Sequence, residues 1–481
     1  MSGKGKKPQA VILVEMAEKL YEIAPDGTGA VYGVPRRGPR IARPVLGKGG
    51  SLSAHLTREY FERTGSTPSK TALANAMEVL QAQADGRERI AVHLRCVREQ
   101  DRVVVDLGDE TGQVIVIEGG HWAIRKAPPD GIVFRRTRLT SPLPKPKRGG
   151  GLATLRTLVN LSEEAWDLAQ AWLAMAWLAD VPVPILTLTG PQGAGKSFLG
   201  RALVNLVDPS PAALRSAPRD LAEWLAVASA SRVVGLDNIS RIDEPLSDAF
   251  CRAVTGEGSA KRQLYTDGDL VVTMFRRALL LTSIDPGSLR GDLGERLMPV
   301  ELRPLRGKRM TERALDQAYA AALPAMLGGL LDLVARVVAE PVHLPKPPRM
   351  ADAAEVMAAV DAATGSHSLD AYTAGQEHLV EMVLESDPLT ATLLAFMHGQ
   401  PRWTGTSSEL HAALKPIHSD GRNYPANARA LSMRLRRMQP QLRSARRLAV
   451  SFKHGTRREI QLRWLDQPKA AARGRLKAVS P

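Results

Sequence analysis

The spacing of hydrophobic residues changes along the chain, and the first 142 residues mix two periods. Residues 11–21, 51–64 and 70–84 place apolar side chains three and four positions apart, which predicts helices. After them come short apolar or alternating runs typical of strands, at residues 90–97, 102–107 and 113–118. Residues 1–142 are therefore predicted to form an N-terminal α+β domain.

From residue 152 to 342, helical segments alternate with short apolar runs. The runs predict strands at residues 185–189, 232–236, 270–274 and 278–281. Such alternation is typical of a parallel sheet with helices on both faces, so the pattern predicts an α/β core. The preceding stretch, residues 143–151, is rich in proline, glycine and lysine and is predicted to be an exposed linker.

A second proline-rich stretch divides the core from the C-terminal part, and residues 343–388 are predicted to be a linker followed by a helical segment. Residues 389–466 predict three helices and then two strands, at residues 391–398, 407–414, 426–438, 449–453 and 459–464. Three helices followed by a β-hairpin are the layout of a winged helix. Residues 467–481 are basic and poor in apolar side chains, which predicts a disordered tail.

Charge supports a nucleic-acid partner for the C-terminal part. The whole chain has a formal net charge of +15, and residues 390–481 contain 18 Lys and Arg but only 4 Asp and Glu. A basic segment of this kind favours a polyanion such as DNA. A GC-rich coding bias is the alternative explanation for an excess of Arg over Lys, but it does not explain why the positive residues gather at one end.

Several classes of protein are excluded by composition. Cys96 and Cys251 are far apart in sequence and do not form a closely spaced pair, which excludes a disulfide framework and a cysteine zinc site. No uninterrupted run of 18 or more apolar residues is present, and the basic N-terminus is not followed by the apolar core of a signal peptide. A cytoplasmic protein with no membrane partner is predicted.

A phosphate-binding loop is the strongest chemical signal in the chain. It follows a predicted strand, opens a predicted helix and consists of Gly190, Pro191, Gln192, Gly193, Ala194, Gly195, Lys196 and Ser197. The glycines allow the backbone N–H groups to surround phosphate, Lys196 neutralises the β- and γ-oxygens, and Ser197 can ligate Mg²⁺. A glycine-rich turn that binds nothing is the structural alternative. The loop predicts ATP and Mg²⁺ as cofactors.

A metal ion bound at such a loop also needs a carboxylate ligand, which comes from the end of another strand of the sheet. Asp237 ends an apolar strand about 40 residues after the loop and is predicted to be this Walker B residue. A strand-terminal Asp that caps a turn is the alternative. Asn238 follows where many related ATPases have a catalytic Glu; it can orient water but cannot accept a proton, so Asp243 or Glu244 is an alternative base.

Two further positions complete the predicted catalytic set. The apolar strand at residues 278–281 runs into Thr282 and Ser283, which can hold a water near the γ-phosphate or simply end the strand. Arg290 and Arg296 precede another apolar strand. Of the two, Arg296 is favoured as an arginine finger that reaches the γ-phosphate of a neighbouring subunit.

Four features follow one another along the chain: the loop, Asp237–Asn238, Thr282–Ser283, and Arg296 before the sequence MPVEL. This ordered set resembles an AAA+-type P-loop ATPase core. More narrowly, they are similar to the superfamily III helicases found with phage and plasmid primases, over residues 150–345. The resemblance implies an ATP-dependent DNA helicase or translocase of a phage, plasmid or mobile-element replication system. It further implies a homo-oligomeric ring such as a hexamer, single-stranded or forked DNA, and a separate primase or polymerase as partners.

The resemblance also implies a basic hairpin between the Walker B strand and the next core strand, and it places Lys261 and Arg262 there as contacts to single-stranded DNA. An ordinary hairpin with solvated charges is the alternative. In the predicted winged helix, the candidate DNA contacts are Arg429, Arg436, Arg437, Arg446, Arg447, Lys453, Arg457 and Arg458. Protein interaction is another use of that small fold.

Three functions follow for the whole chain. A DNA motor is favoured. A non-motor ATP switch, such as a helicase loader or a DNA-binding regulator, is the main alternative, because Asn238 and Thr282 depart from the residues usual in the resembled helicases. A metabolic kinase is disfavoured by the arginine segment and the basic C-terminal part.

Overall fold

A computed structural model describes residues 7–465 except for residues 48–49, 241, 258, 263–269, 274, 283–290, 305–309, 418–423 and 454–457. The chain divides into two compact units, Met1–Thr373 and Ala374–Pro481. The first unit contains both the predicted N-terminal domain and the predicted α/β core, so these two parts pack together as one body. The second unit contains the basic C-terminal part.

The N-terminal part mixes helices with two sheets, as its sequence pattern predicts. Its helices are α1 (Gln9–Leu20), α2 (Leu52–Thr64) and α3 (Lys70–Ala84). Its strands are β1 (Tyr21–Pro25), β2 (Val31–Pro35), β3 (Ile41–Pro44), β4 (Val92–His93), β5 (Cys96–Glu99), β6 (Arg102–Asp106), β7 (Val114–Glu118), β8 (His121–Arg125) and β9 (Val133–Arg135). One sheet has the order β1-β2-β3-β9-β4, and the other is the antiparallel meander β5-β6-β7-β8.

The predicted strand at residues 90–97 is two strands in the structure. Arg95 lies between β4 and β5 with a φ of 46°, a left-handed conformation that no β-strand residue adopts. The chain therefore changes direction there and moves from one sheet to the other. The side chain of Arg95 is buried, with 3% of its surface exposed.

A five-stranded parallel sheet forms the α/β core. Its strands, in spatial order, are β11 (Leu214–Arg215), β12 (Val233–Leu236), β15 (Ala278–Thr282), β10 (Ile185–Thr189) and β16 (Leu297–Glu301). Every residue of β10, β12 and β15 is buried, which requires cover on both faces of the sheet. The surrounding helices are α4 (Ala153–Thr157), α5 (Glu163–Ala176), α6 (Lys196–Val207), α7 (Leu221–Ala228), α8 (Glu244–Thr255) and α9 (Glu312–Ala339).

The segment predicted to be an exposed linker, residues 143–151, has five exposed residues and also contacts α9. Leu143 is buried, and the backbone N–H of Lys147 donates to the carbonyl of Pro324 at 2.8 Å. A Cβ added at Gly328 would lie 1.8 Å from the carbonyl oxygen of Lys147, so this position has no room for a side chain. The backbone of this segment therefore packs directly against the backbone of α9. This contact requires glycine at position 328, because any side chain there would push the segment away.

Within the described part of the chain, α9 is the one helix that is long and apolar enough to cross a membrane, judged by length and composition. More than half of its most apolar stretch, 56%, is buried inside the protein. The buried side chains lie in its C-terminal half, from Met326 to Val338. This helix packs against α5, α6 and strands β7 and β8, so its apolar residues have protein partners.

The region predicted to be a proline-rich linker followed by a helical segment contains two helices, α10 (Ala351–Thr364) and α11 (Ser368–Ser386). In α10, residues such as Ala353, Met357 and Val360 are buried, and the helix packs against α5 and α9. Asp361 near its end accepts hydrogen bonds from the backbone N–H groups of Ser368 and Leu369 at 2.7 and 3.0 Å. The helical segment is therefore part of the first unit's packed structure as far as residue 373.

The C-terminal unit contains the three predicted helices and both predicted strands, with one addition. Its elements are α12 (Pro388–Phe396), β17 (Arg402–Gly405), α13 (Ser407–Leu414), α14 (Ala428–Ala445), β18 (Leu448–Lys453) and β19 (Glu459–Trp464). Strand β17, which the sequence did not predict, pairs antiparallel with β19 and completes a sheet of order β17-β19-β18. Leu393, Leu410, Leu431, Leu435 and Ile460 belong to one buried core.

Candidate nucleotide-binding site

The glycines of the loop between β10 and α6 have backbone conformations that other residues avoid. Gly190, Gly193 and Gly195 have φ values of 128°, 76° and 92°. A Cβ added at Gly190 would lie 2.4 Å from the carbonyl oxygen of Leu302, which follows strand β16. The loop therefore needs glycine at Gly190 for two reasons, the positive φ and the contact with the neighbouring strand's backbone.

The rest of the loop presents an open rim and a cation. Pro191, Gln192 and Gly193 are exposed, whereas Ala194 is buried beneath them. The ammonium of Lys196 donates to the carbonyl oxygens of Gly190 at 2.7 Å and Pro191 at 2.9 Å. Lys196 thus lies over its own loop, held by backbone groups that a phosphate oxygen can replace as acceptor.

The two predicted magnesium ligands are in contact. The hydroxyl of Ser197, in the first turn of α6, lies 3.1 Å from Oδ1 and 3.4 Å from Oδ2 of Asp237. Asp237 follows β12 directly, and its backbone N–H donates to the carbonyl of Arg215 at 2.7 Å. Because all core strands are parallel, their C-terminal ends share one edge, and this brings the two side chains together.

The strand that carries Asp237 is not adjacent to the strand that carries the loop. Strand β15 lies between β12 and β10 in the sheet. Its last residue, Thr282, is therefore placed between the loop and Asp237. The sequence gives no sign of this order, because it depends on how the chain crosses over the sheet between strands.

Thr282 is buried and its hydroxyl is fully engaged by the Walker B segment. Its Oγ1 donates to Oδ1 of Asp237 at 2.5 Å and accepts the backbone N–H of Asn238 at 2.8 Å. Its carbonyl accepts the N–H of Ile239 at 2.8 Å. Thr282 therefore contacts this carboxylate, and the role suggested from the sequence, holding a water near the γ-phosphate, stays a prediction. Ser283 lies outside the described residues.

Asn238 has a left-handed backbone, with a φ of 55°, and its side chain is exposed. Asn tolerates this conformation better than most residues with a Cβ. The suggested alternative bases have other surroundings: Asp243 caps α8 by accepting the N–H of Leu246 at 3.1 Å, and Glu244 is the first residue of that helix. Asn238 is therefore the exposed polar side chain that directly follows Asp237, the predicted magnesium ligand.

Arg296 lies at the opposite edge of the sheet from the loop. It ends the 3₁₀ turn Gly291–Arg296 and directly precedes β16, which runs parallel to β10. The five residues of β16 span about 16 Å at ~3.3 Å per residue. The side chain is partly buried. Within one chain, the structure does not bring Arg296 to the phosphate-binding loop.

The hairpin expected between the Walker B strand and β15 is present in its backbone. Strand β13 (Ser259–Arg262) pairs antiparallel with β14 (Leu270–Thr273), with Lys261 opposite Val271 and Arg262 opposite Leu270. Residues 263–269, which connect them, lie outside the described residues. The two basic residues are therefore on one strand of a two-stranded sheet that is separate from the core sheet.

The basic residues of the C-terminal unit fall into two groups. Exposed ones are Arg429, Arg436 and Arg437 on α14, Arg447 after it, Lys453 at the end of β18 and Arg458 just before β19. Arg446 is half-buried and pairs with Glu385 at 3.1 Å, and the guanidinium of the exposed Arg436 lies 3.9 Å from the ring centre of Phe452. Arg457 lies outside the described residues. Most of the candidate DNA contacts described in this unit are therefore exposed to solvent.

The donors at the loop fit a magnesium nucleotide. Mg²⁺ in proteins is usually held by one or two carboxylates together with phosphate oxygens and waters. Asp237 and the Ser197 hydroxyl are hard oxygen ligands of this kind, next to a loop with three positive-φ glycines and one Lys. Within the described part of the chain, no cluster of three or more His, Cys, Asp or Glu side chains could hold a metal ion.

Comparison with known proteins places this chain in the class of mobile-element replication proteins. Residues 152–382 match the family model of the actinomycete integrative conjugative element replication protein. Residues 389–475 match the model of the C-terminal domain of the same protein, RepA. The prediction of a mobile-element replication protein is confirmed in this coarser form, with integrative conjugative elements as the source of the family.

Two of the solved structures that match the chain do so at low sequence identity. The apo C-terminal region of NrS-1 (residues 305–718) is 12% identical, covering 96% of this chain and 100% of that one, with a TM-score of 0.40. The SCCmec type IV protein Cch, described as an active helicase, is 11% identical, covering 92% and 93%, with a TM-score of 0.45. No curated protein sequence matches the chain.

Proposed function

We propose that this protein is an ATP-dependent DNA helicase or translocase that acts in the replication of a mobile element. The observation that carries the proposal is the contact of Ser197, Asp237 and Thr282 at one edge of the sheet, directly behind a loop of phosphate-binding geometry. Residues distant in sequence meet there as nucleotide hydrolysis requires. The core is proposed to be an AAA+-type P-loop domain, and the C-terminal unit a winged helix.

In this proposal, the loop binds the phosphates of ATP with its backbone N–H groups and the N-terminus of α6. Lys196 leaves the carbonyls of Gly190 and Pro191 and pairs with β- and γ-oxygens. Ser197 and Asp237 hold Mg²⁺, which when bound neutralises charge on those oxygens. Thr282 keeps the Asp237 carboxylate in one orientation through its hydrogen bond.

Asn238 is proposed to orient the attacking water with its exposed amide, next to the γ-phosphate. Its backbone is held by Thr282, so the position of the amide is tied to that of Asp237. An amide orients water without accepting a proton. Hydrolysis is therefore expected to be slower than with a carboxylate at this position.

Arg296 is proposed to act on a neighbouring subunit. Its position at the far edge of the sheet, about 16 Å from the loop edge at ~3.3 Å per residue, prevents it from serving the site of its own chain but suits a site formed between subunits. A ring of identical subunits would place each Arg296 beside the next loop. This supports a homo-oligomer, with a hexamer as the proposed form.

DNA is proposed to be bound by the hairpin that carries Lys261 and Arg262 and by the basic face of the C-terminal unit. The order α12, β17, α13, α14, β18, β19 with the sheet β17-β19-β18 supports a winged helix, in which α14 is the recognition helix. Arg429 and Arg437 are exposed on that helix. The match to a replication protein family supports DNA as the polyanion.

The test uses the purified full chain with ATP and Mg²⁺ on a forked duplex. Wild type should displace a strand, whereas Lys196→Ala and Arg296→Ala should not. An equal mixture of the two inactive variants should regain ATP hydrolysis, because each mixed interface can combine an intact loop with an intact Arg296. A mixture no more active than its components would contradict the trans role, and absence of unwinding by assembled wild type would contradict the motor.

A non-motor ATP switch is the second candidate, and the exposed Asn238 in place of a carboxylate is the observation that favours it. A switch would change its affinity for DNA on binding ATP, with little turnover. Phosphate release with and without single-stranded DNA separates the two functions. Strong stimulation by DNA supports the motor, whereas unchanged slow release together with ATP-dependent DNA binding supports the switch.

A further inference from the structure

One buried ion pair connects the N-terminal part to the two elements that carry the magnesium ligands. Nε of Arg95 lies 2.8 Å from Oδ1 of Asp208, and both side chains are almost completely buried. Arg95 belongs to the junction of the two N-terminal sheets, and Asp208 directly follows α6. The pair therefore crosses from one part of the first unit to the other.

Asp208 joins the far ends of α6 and β12. Its Oδ2 accepts the backbone N–H groups of Arg232 at 2.8 Å and Val233 at 3.1 Å, where β12 begins. Ser197 lies in the first turn of α6 and Asp237 directly after β12. Ser197 and Asp237, the proposed magnesium ligands, therefore lie at one end of α6 and β12. The other ends of these two elements meet at the Asp208 carboxylate.

Arg95 is held in the N-terminal part both by hydrogen bonds of its guanidinium and by its backbone conformation. Its other guanidinium nitrogens donate to the carbonyl oxygens of Asp106 at 2.9 Å and Ser141 at 2.6 Å. Its backbone has a φ of 46°, which is unfavourable for a residue with a Cβ and is maintained by the surrounding structure. The guanidinium is therefore fixed relative to the N-terminal sheets, and Asp208 is fixed relative to the guanidinium.

Neighbouring contacts make the same connection. The backbone N–H of Ser141 donates to the carbonyl of Pro209 at 2.9 Å, and the hydroxyl of Thr137 donates to the carbonyl of Ala230 at 2.8 Å. Both acceptors lie in the turns that precede β11 and β12. The N-terminal part therefore contacts the core at the start of the Walker B strand and at the end of the loop helix.

We infer that Arg95 and Asp208 are positioning residues, which set the distance between Ser197 and Asp237 and so make magnesium-dependent ATP hydrolysis depend on the docked N-terminal part. This inference rests on the proposed ATPase function. Displacement of a ligand pair by about 1 Å is sufficient to reduce a reaction rate about a hundredfold. The loop itself does not contact Arg95, so nucleotide binding without metal should not depend on the pair.

The variants are Arg95→Met, Asp208→Asn and the double variant. Arg95→Met leaves a buried carboxylate without its partner, so a loss of activity from this variant alone can reflect poor folding. The double variant removes both charges, while the Asn oxygen can still accept the N–H groups at the start of β12. It isolates the connection from the burial of charge. Arg136→Met is the matched control, because Arg136 forms a bidentate pair with Asp106 at 2.7 and 2.9 Å inside the N-terminal part.

Two measurements are made on the full chain: steady-state phosphate release against Mg²⁺ concentration, and binding of a fluorescent ATP analogue with and without Mg²⁺. The double variant should melt close to wild type, bind the analogue without Mg²⁺ unchanged, show less gain in affinity from Mg²⁺, and lose about tenfold or more in kcat. Arg136→Met should keep the magnesium response.

A double variant with wild-type kcat and wild-type magnesium response would overturn the inference, as would an equal loss of that response in Arg136→Met. The binding measurement keeps the two proposals separate. Wild type that binds the analogue more tightly with Mg²⁺ but does not hydrolyse ATP would contradict the ATPase and leave the positioning role to be decided by the variants' response to Mg²⁺.

Discussion

The hydroxyl of Thr282 donates to Oδ1 of Asp237 at 2.5 Å, and through this bond the middle strand of the core holds the carboxylate that follows the neighbouring strand, the proposed magnesium ligand. The same oxygen accepts the backbone N–H of Asn238. One buried hydroxyl therefore contacts both the proposed metal ligand and the backbone that follows it. Replacing Thr282 separates these effects from nucleotide binding.

Thr282→Val should reduce kcat with little effect on ATP binding. Valine keeps the shape of threonine but leaves the N–H of Asn238 without its acceptor and removes one of the two hydroxyl donors to Asp237, the other being Ser197. Loss of such buried hydrogen bonds costs about 1–3 kcal/mol, or about 5- to 150-fold in rate if expressed in the transition state. Phosphate release and binding of a fluorescent ATP analogue measure the two quantities. Thr282→Ser, which retains the hydroxyl, is the control, and a Val variant with the kcat of the Ser variant would refute this role.

The conformation of the loop at residues 190–197 could be predicted from the sequence because its determinants are local. Gly190, Gly193 and Gly195 supply the conformations, and the strand before and the helix after them are apparent from hydrophobic pattern alone. Asp237 could be predicted for a similar reason, since a carboxylate that ends an apolar strand is visible in the sequence. Local patterns therefore identify which residues are suited to the chemistry.

Spatial order could not be predicted in the same way. That Thr282 lies between the loop and Asp237 depends on the crossover of β15 between β10 and β12, which no local pattern encodes. The Arg95–Asp208 pair joins positions 113 residues apart, and Arg95 breaks what reads as one continuous strand. Strand β17 was missed because two of its four residues are exposed and the other two only half-buried, and it forms a strand by pairing with β19.

Asn238→Gly should separate stability from activity at the exposed position after Asp237. Glycine adopts a φ of 55° without strain, so the free energy of unfolding should stay within about 1 kcal/mol of wild type. If the amide orients the attacking water, kcat falls nevertheless. Asn238→Val is the companion variant, and because a β-branched residue resists positive φ it should lose both stability and activity. Thermal melting and phosphate release give the two results, and a Gly variant with unchanged kcat would rule out a role for the amide.

Exposed arginines of α14 should contribute to DNA affinity without affecting stability. Arg429→Gln and Arg437→Gln should each weaken binding and lower the dependence of log K on log salt concentration by about one. The melting temperature should not change, because both side chains face solvent. Fluorescence anisotropy at several salt concentrations measures the effect.

Arg434→Gln is the matched control on the same helix. Arg434 pairs with Asp387, whose side chain is 14% exposed, and Asp387 also caps α12 through the N–H of Thr390 at 3.0 Å. Its loss should lower the melting temperature and leave the salt dependence of binding unchanged. The reverse result, with binding dependent on Arg434 and independent of the two exposed arginines, would show that this face of α14 does not contact DNA.

Acid should destabilise the N-terminal part through His93. Burial lowers the pKa of His93 below its usual value of 6.5, against the opposing effect of Glu99, and its ring packs edge-on to Phe134 with centroids 6.2 Å apart. Between pH 6.5 and the lower pKa of the folded state, the unfolded chain binds more protons than the folded chain. The free energy of unfolding therefore falls as pH falls through this window, by at most about 1.4 kcal/mol per pH unit for one histidine.

His93→Gln removes this contribution, because glutamine does not titrate. Compared with wild type, the variant should lose less of its melting temperature between pH 7.5 and 5.5, even if it is less stable at pH 7.5. His121→Gln, at an exposed position of β8, is the control and should keep the pH dependence of wild type. Equal losses in all three proteins would mean that His93 is protonated as readily in the folded state as in the unfolded one, and that its burial against Phe134 does not resist the charge.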